Sequence, residues 1–107
     1  MNNKAISTLQ IALGARKIVF GEQLLKKIQS KQVFVVILAL DAGQASAKKI
    51  MDKCQFYKIP VFVTFQKEDF KQIIHKDVSS LGIVDKNLAK KWIENIKEGS
   101  VFYEEKN

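Results

Sequence analysis

The sequence has one cysteine, Cys54, and one histidine, His75, among its 107 residues. A single cysteine excludes an internal disulfide framework and a zinc site built from cysteines. It fits a reducing cytoplasm, where structural disulfides are rare. Cys54 falls in the apolar stripe of a predicted helix, which indicates a small buried hydrophobic side chain and not a reactive thiol. We therefore expect no metal ion, no cofactor and no catalytic cysteine–histidine pair.

The motifs of nucleotide-binding enzymes are also missing from the sequence. There is no glycine-rich loop ending in Lys-Ser or Lys-Thr, and no G-x-G-x-x-G pattern follows the first predicted strand, where Gly21 stands alone. No carboxylate is marked by the sequence as a partner of His75. We therefore expect a protein without catalytic residues. A small α/β enzyme stays open as a third class of function, which a deep pocket around His75 would favour.

Acidic residues are scarce relative to basic ones. The chain has 18 lysine and arginine residues against 11 aspartate and glutamate residues, a formal net charge of +7, and Arg16 is the one arginine. Such a surplus favours a polyanionic partner, although a lysine-rich proteome would also produce it. Lysine meets a phosphate as a point charge, whereas an arginine can make a planar two-pronged contact.

Long hydrophobic runs are absent as well. The longest, at residues 33–40, is too short to span a bilayer. The first residues lack the apolar core of a signal peptide. We therefore expect a cytoplasmic protein that does not contact a membrane.

Helical and strand patterns alternate along the chain. Apolar residues at helical spacing predict five helices, at about residues 4–13, from 21 onward, 44–58, 66–74 and 85–99. Apolar and β-branched runs predict four strands between them, at residues 18–20, 33–40, 61–65 and 80–84.

These patterns predict an α/β fold: a three-layer α-β-α sandwich with a small mixed four-stranded sheet. The unbroken apolar run at residues 33–40 predicts a central strand covered on both faces. Gly14 is expected to end the first helix in a left-handed conformation. We expect one domain over residues 1–107, with its core at about 4–97. The tail, residues 98–107, is expected to fray, unless residues 101–103 dock on the body.

The stretch at residues 16–31 carries the strongest sign of function. Gly21 opens a helix whose first N–H groups and dipole favour an anion. Gln23 can both donate and accept hydrogen bonds, as the reading of a base edge requires. An amphipathic helix with its lysines in water would give the same pattern, and both interpretations stay open. The candidate RNA-binding residues of this stretch are Arg16, Lys17, Gly21, Glu22, Gln23, Lys27 and Lys31.

Three segments, at residues 13–22, 36–42 and 49–60, resemble a known family in their order and spacing. The chain is similar to the kink-turn RNA-binding ribosomal proteins of the 7Ae/30e type, and most similar to their bacterial 7Ae-like, ribosome-associated members. The resemblance covers roughly residues 4–97. It implies a compact α-β-α sandwich that binds folded RNA without catalysis.

The resemblance also implies that the strand-to-helix junction contacts RNA. In the family this junction reads Gly-x-Asn-Glu-x-x-Lys, and Gly21 and Lys27 match it here. Gln23 replaces the asparagine. Leu24 replaces the glutamate, which in the family helps to read the guanines of tandem sheared G·A pairs.

A second part of the implied RNA surface is a later loop before the last strand, which maps to residues 75–79. The family places apolar residues there against flipped-out nucleotides, and Val78 is the candidate in this chain. Asp41 matches an acidic residue that follows the second main strand. The candidates added by the resemblance are Asp41, His75, Lys76, Val78 and Ser79.

The sequence therefore predicts a non-enzymatic, monomeric RNA-binding protein. Its expected partner is structured RNA, either ribosomal RNA or a kink-turn RNA, and association with the ribosome is expected. The alternative is a protein-interaction scaffold on the same fold that has lost kink-turn specificity, with Leu24 as the mark of that loss.

Overall fold

The computed structural model describes residues 3–99 and 104–106. The helices are α1 (Asn3–Gly14), α2 (Glu22–Gln29), α3 (Gln44–Tyr57), α4 (Lys67–Ile74) and α5 (Lys86–Gly99). The strands are β1 (Ile18–Val19), β2 (Val35–Leu38), β3 (Val61–Val63), β4 (Ser80–Ile83) and β5 (Glu104–Lys106). All five predicted helices and all four predicted strands are confirmed, with ends that differ by a few residues.

The strands form one mixed sheet in the order β1-β4-β2-β3-β5. Among the described strands, β2 and β3 are the one parallel pair, with Val36 opposite Val61. The remaining pairs are antiparallel, and β5 pairs with the outer side of β3. The expectation of a frayed tail is therefore wrong for residues 104–106, since their backbone adds a fifth strand. The expected docking of residues 101–103 lies outside the described residues.

The central strand β2 separates two hydrophobic cores. Val35 and Ile37 belong to the core that α1, α4 and α5 cover, whereas Val36 and Leu38 belong to the core under α2 and α3. All four side chains are buried. Burying one such side chain contributes about 1.5–3 kcal/mol. The unbroken apolar run thus forms the middle of a three-layer sandwich, as the sequence predicts.

Strand direction defines two edges of this sandwich. Since β1 and β2 are both antiparallel to β4 and β2 is parallel to β3, the strands β1, β2 and β3 run the same way. We call the edge where these three strands end the carboxyl edge. Helices α2 and α3 begin there, and the loop before β4 also lies there, since Ser80 pairs with Leu38. The opposite, amino edge holds the ends of α1, α2 and α3 and the start of α5.

Within the described residues, four helices are followed by a residue other than glycine in the left-handed region. These residues are Arg16, Lys31, Lys58 and His75, with φ of 60°, 58°, 60° and 61°. The expected left-handed Gly14 is wrong because α1 continues through it and the chain turns only at Arg16. There the N–H of Lys17 donates to the carbonyl of Ala12 at 2.8 Å, a pattern that closes a helix end. For residues other than glycine, this left-handed backbone conformation costs roughly 1–2 kcal/mol.

Cys54 lies in the core under α2 and α3 and is fully buried. Burial raises the pKa of its thiol to about 12. The raised pKa favours the neutral thiol at physiological pH. The prediction of a buried cysteine is confirmed.

Candidate nucleic-acid interface

An open groove of about 410 Å³ lies at the carboxyl edge, between the start of α2, the first half of α3 and the loop before β4. We call it the junction groove. Four of its lining residues are candidates from the sequence, and six are not. The lining residues are Gly21, Glu22, Leu25, Ser46, Lys49, Ile50, Asp77, Val78, Ser79 and Ser80.

Gly21 gives the groove one helix N-terminus, and Gly43 opens a second helix at the same edge. Gly21 precedes α2 with φ 65° and ψ −139°, a backbone conformation that in practice only glycine adopts. Gly43 precedes α3 with φ −61° and ψ 147°, which any residue can adopt. As glycines, neither has a side-chain oxygen to cap the first N–H groups. Both helices therefore begin with unoccupied donors and a partial positive charge, which favour phosphate oxygens or acceptor atoms of a base.

The groove mixes charges of both signs with apolar surface. Glu22 and Asp77 bring two exposed carboxylates, and Lys49 brings an exposed ammonium group. Ile50 is buried and Val78 is half-buried, and both side chains contribute to the apolar surface of the groove. Carboxylates accept hydrogen bonds from base amino groups, and an apolar side chain can pack on an unstacked base. The arrangement suits one unpaired nucleotide better than a regular duplex.

The loop that brings Val78 and Ser79 to the groove is held from two sides. The Lys76 ammonium lies over the Phe20 ring, 5.9 Å from its centroid. The N–H of Ala39 donates to the Ser79 carbonyl at 2.8 Å, which ties the loop to the end of β2. These contacts keep the loop beside the strand-to-helix junction.

Other candidates lie near the carboxyl edge but do not line the groove. Gln23 is exposed on α2, and His75 is exposed at the end of α4. The Asp41 carboxylate accepts the backbone N–H of Lys67 at 2.8 Å, so it holds the first turn of α4. The structure thus places Asp41 at a helix start.

The remaining basic candidates lie at or toward the amino edge. Arg16 and Lys17 come before β1, and a mostly extended segment separates Arg16 from Gly21 by roughly 15 Å. Lys31 follows α2 and lies roughly 13 Å from the start of that helix. Lys27 sits in the last turn of α2, where its ammonium donates to the Gln32 side-chain oxygen at 2.9 Å. The candidates at residues 16–31 therefore form two surfaces and not one.

Position 24 faces the core. Leu24 is fully buried, together with Ile28 one turn later on α2. The exposed carboxylate at the junction belongs to Glu22, two residues earlier. The leucine that replaces the family glutamate therefore does not line the groove, and Glu22 is the acidic group of α2 that does.

Six residues that line the groove are not among the candidates predicted from the sequence. Three of these six share a pattern that could have identified them. Ser46, Lys49 and Ile50 lie at helical spacing on α3, close to its start. Because α3 follows β2, which runs parallel to β1, its start must lie at the same edge as Gly21. Once the strand directions are known, these three residues can therefore be placed at the groove. The other missed residues are Leu25, Asp77 and Ser80.

Comparisons with known proteins show the family and the fold of the chain. A model of the Ribosomal protein L7Ae/L30e/S12e/Gadd45 family matches residues 3–93, and the chain belongs to this family. The chain is similar to the RNA-binding protein YlxQ of Enterococcus faecium, at 35% identity over 88% of this chain and 92% of that protein. It is also similar to the RNA-binding protein YlxQ of Bacillus subtilis strain 168, at 32% identity over 79% of this chain and 87% of that protein.

A solved structure has the same fold. A protein of unknown function from Bacillus halodurans C superimposes with a TM-score of 0.82 and is 36% identical, over 88% of this chain and 97% of that one. The predicted family and the predicted α-β-α fold are confirmed.

Within residues 3–99 and 104–106, no helix is long and apolar enough to cross a membrane. Within the same residues, no group of three or more His, Cys, Asp or Glu residues is placed to hold a metal ion.

Proposed function

We propose that the protein binds structured RNA in the junction groove and carries out no chemistry on it. The observation that supports this most directly is the groove itself. Gly21 and Glu22 of the strand-to-helix junction line it together with Val78 and Ser79 of a loop more than fifty residues later. Family membership and two relatives named as RNA-binding proteins support the same function.

In this proposal the groove receives an unstacked nucleotide. The base packs on Val78 and Ile50, and the Glu22 and Asp77 carboxylates accept hydrogen bonds from its amino or imino groups. Lys49 and the free N–H groups at the start of α2 meet the neighbouring phosphates. Because phosphate contacts release counterions, affinity falls as salt concentration rises.

The RNA that fits such a groove has an irregular step with an exposed base, as in a kink-turn or an internal loop. Glu22 would supply the carboxylate at the junction, since Leu24 lies in the core. The proposal includes recognition of a kink-turn, and it rests on the family together with this placement of Glu22.

Two hairpins test the proposal. One contains a kink-turn with tandem G·A pairs, and in the other those pairs are replaced by Watson–Crick pairs. We expect the kink-turn hairpin to bind at least about tenfold more tightly, since each mismatched recognition element costs roughly 1–3 kcal/mol. Lys49→Ala should weaken binding severalfold. Lys71→Ala, an exposed lysine on α4, serves as the matched control and should change nothing. Equal affinity for both hairpins would refute kink-turn recognition, and no binding to either would refute the proposed function.

The wider setting is also a proposal: a cytoplasmic, monomeric protein that associates with ribosomal RNA or the ribosome. The net charge of +7 and the family support it. Sedimentation of a cell extract tests it. The protein should travel with ribosomal particles at low salt and return to the top of the gradient after ribonuclease treatment. A position at the top of the gradient under all conditions would contradict it.

One observation favours the second candidate function, a protein-interaction scaffold. Phe34, which is 39% exposed, lines a largely apolar cleft of about 320 Å³ with Ala89 and Ile93 of α5. Protein purified free of nucleic acid and oligomeric on size-exclusion chromatography would support the scaffold. A monomer that copurifies with salt-removable nucleic acid would support RNA binding.

A further inference from the structure

The amino edge, opposite the junction groove, carries a concentrated positive charge. The loops and helix ends that the structure describes between the helices and strands at this edge are residues 14–17, 30–34, 57–60 and 84–87. They contain one acid, Asp85, whose carboxylate already accepts the N–H of Leu88 at 2.9 Å. Among the described residues, none of the five cations at this edge forms an ion pair. These cations are Arg16, Lys17, Lys31, Lys58 and Lys86.

Three of these cations occupy a backbone conformation that suits glycine better. Arg16, Lys31 and Lys58 follow α1, α2 and α3 with φ of 60°, 58° and 60°. Each of these three helix ends thus carries a long, exposed cationic side chain. Glycine would adopt the left-handed backbone there at a lower energetic cost. Attraction to the helix dipole explains a part of this preference. Because none of these cations has an acidic partner within the described residues, their concentration at one edge indicates an anionic ligand.

An exposed aromatic side chain adjoins these cations. Phe56 is 77% exposed near the end of α3, two residues before Lys58, and its ring lies edge-to-face with Tyr57 at 4.9 Å between centroids. Exposed aromatic rings near cations are typical of nucleic-acid-binding surfaces, where the cations meet phosphates and a ring can stack on an unpaired base. This composition favours RNA over an acidic protein as the partner.

We propose that the amino edge is a second RNA-binding surface, which holds the phosphates of a double-stranded stem without reading its sequence. This inference rests on the proposed function in that the partner is RNA, but it concerns a separate surface. Helix α2 connects the two, since it starts at the groove and ends at the amino edge. Lys26 and Lys27 lie in its last turn. A stem leaving the groove along α2 would therefore reach Arg16 and Lys31.

The backbone at the amino edge allows a test in which folding and binding change in opposite directions. The triple variant Arg16→Gly, Lys31→Gly and Lys58→Gly removes three cations and relieves three left-handed side chains. We expect it to melt at or above the wild-type temperature. The probe is a regular RNA duplex of about 20 base pairs, which offers phosphates but no unstacked base.

For this duplex the triple variant should lose affinity on the order of 100-fold at about 0.1 M salt, with the salt slope reduced by about two to three units. The control variant Lys67→Gln, Lys71→Gln and Lys91→Gln removes three exposed charges from α4 and α5 and should bind the duplex within a few-fold of wild type.

Two results would overturn the inference. One is duplex binding by the triple glycine variant that equals that of wild type. The other is no duplex binding by wild type at about 50 mM salt, where phosphate contacts are strongest. Both leave the kink-turn hairpin comparison intact, so a failure of this surface is distinguishable from a failure of the proposed function.

Discussion

The Lys76 ammonium lies over the Phe20 ring at 5.9 Å from its centroid, and this contact joins two segments that are far apart in the chain. Phe20 is the last residue before the junction glycine, and Lys76 lies in the loop before β4. The contact holds the two sides of the junction groove next to each other. Its strength at a partly exposed site is about 0.5–1 kcal/mol.

A double-mutant cycle measures this contact. Phe20→Leu keeps an apolar side chain without the ring, and Lys76→Met keeps the length without the charge. We expect a coupling free energy of about 0.5–1 kcal/mol from denaturant unfolding of the four proteins. Lys71→Met combined with Phe20→Leu is the control pair and should show no coupling. Additive effects of Phe20→Leu and Lys76→Met would mean that the two side chains do not interact in solution.

The two glycines that precede α2 and α3 should respond oppositely to serine. Gly21→Ser forces a side chain into φ 65°, ψ −139°, and we expect a loss of about 1–3 kcal/mol in the free energy of unfolding. Gly43→Ser leaves an ordinary extended backbone and adds a capping hydroxyl, so stability should stay level or rise by up to about 1 kcal/mol. Thermal and urea unfolding measure both. Equal stability of the two variants would contradict the backbone assigned to Gly21.

Because Gly82 has no side chain, it leaves space for Leu24, the residue that replaces the family glutamate. A Cβ atom at Gly82 would come within 2.7 Å of Leu24 Cδ1 and 2.9 Å of Val33 Cγ1. Gly82→Ala should therefore destabilise the protein by about 1–3 kcal/mol. Gly14→Ala, where no atom lies within 4 Å of the new Cβ, should be neutral or slightly stabilising.

A second substitution checks the cause. In a Leu24→Ala background the cost of Gly82→Ala should shrink, because the nearest atom is gone. An undiminished cost would show that the packing of Leu24 against β4 is not the source of the strain.

Cys54 should be unreactive until the protein unfolds. Burial raises the pKa of its thiol from 9.0 to about 12, so the native state keeps the proton that the unfolded state releases. The protonated thiol therefore contributes to the free energy of unfolding. Its contribution is fully present below about pH 9 and declines as the pH rises toward 12, by at most about 1.4 kcal/mol per pH unit. Alkylation at pH 8 should label the urea-unfolded protein and not the native one. Cys54→Ala should lose less stability than wild type between pH 8 and 10, and rapid native labelling would contradict the burial.

Local patterns predicted much of the fold. The apolar run containing Val35 to Leu38 is a strand buried on both faces, as its composition requires. Cys54 falls in the core because the helical stripe around it does. Gly21 opens α2, and its backbone demands glycine. In each case the decisive information lies within a few residues of the chain.

The site was harder to predict because it depends on direction and on pairing between strands. Arg16 and Gly21 are neighbours in sequence, but β1 runs across the sheet between them and leaves them at opposite edges. Lys49 reaches the groove only because β2 runs parallel to β1, which no local pattern encodes. Position 24 aligns with the glutamate of the family motif but carries a leucine, and α2 directs this side chain into the core.

The central claim is that RNA occupies the junction groove, and chemical-shift mapping of the isotope-labelled protein tests it most directly. The kink-turn hairpin is titrated at moderate salt while the backbone amides are followed. The largest shifts are predicted at Gly21, Glu22, Lys49, Val78 and Ser79, with smaller shifts at the amino edge. Shifts confined to the cleft around Phe34, or to the surface between α1 and α5, with the groove amides unmoved, would contradict the claim.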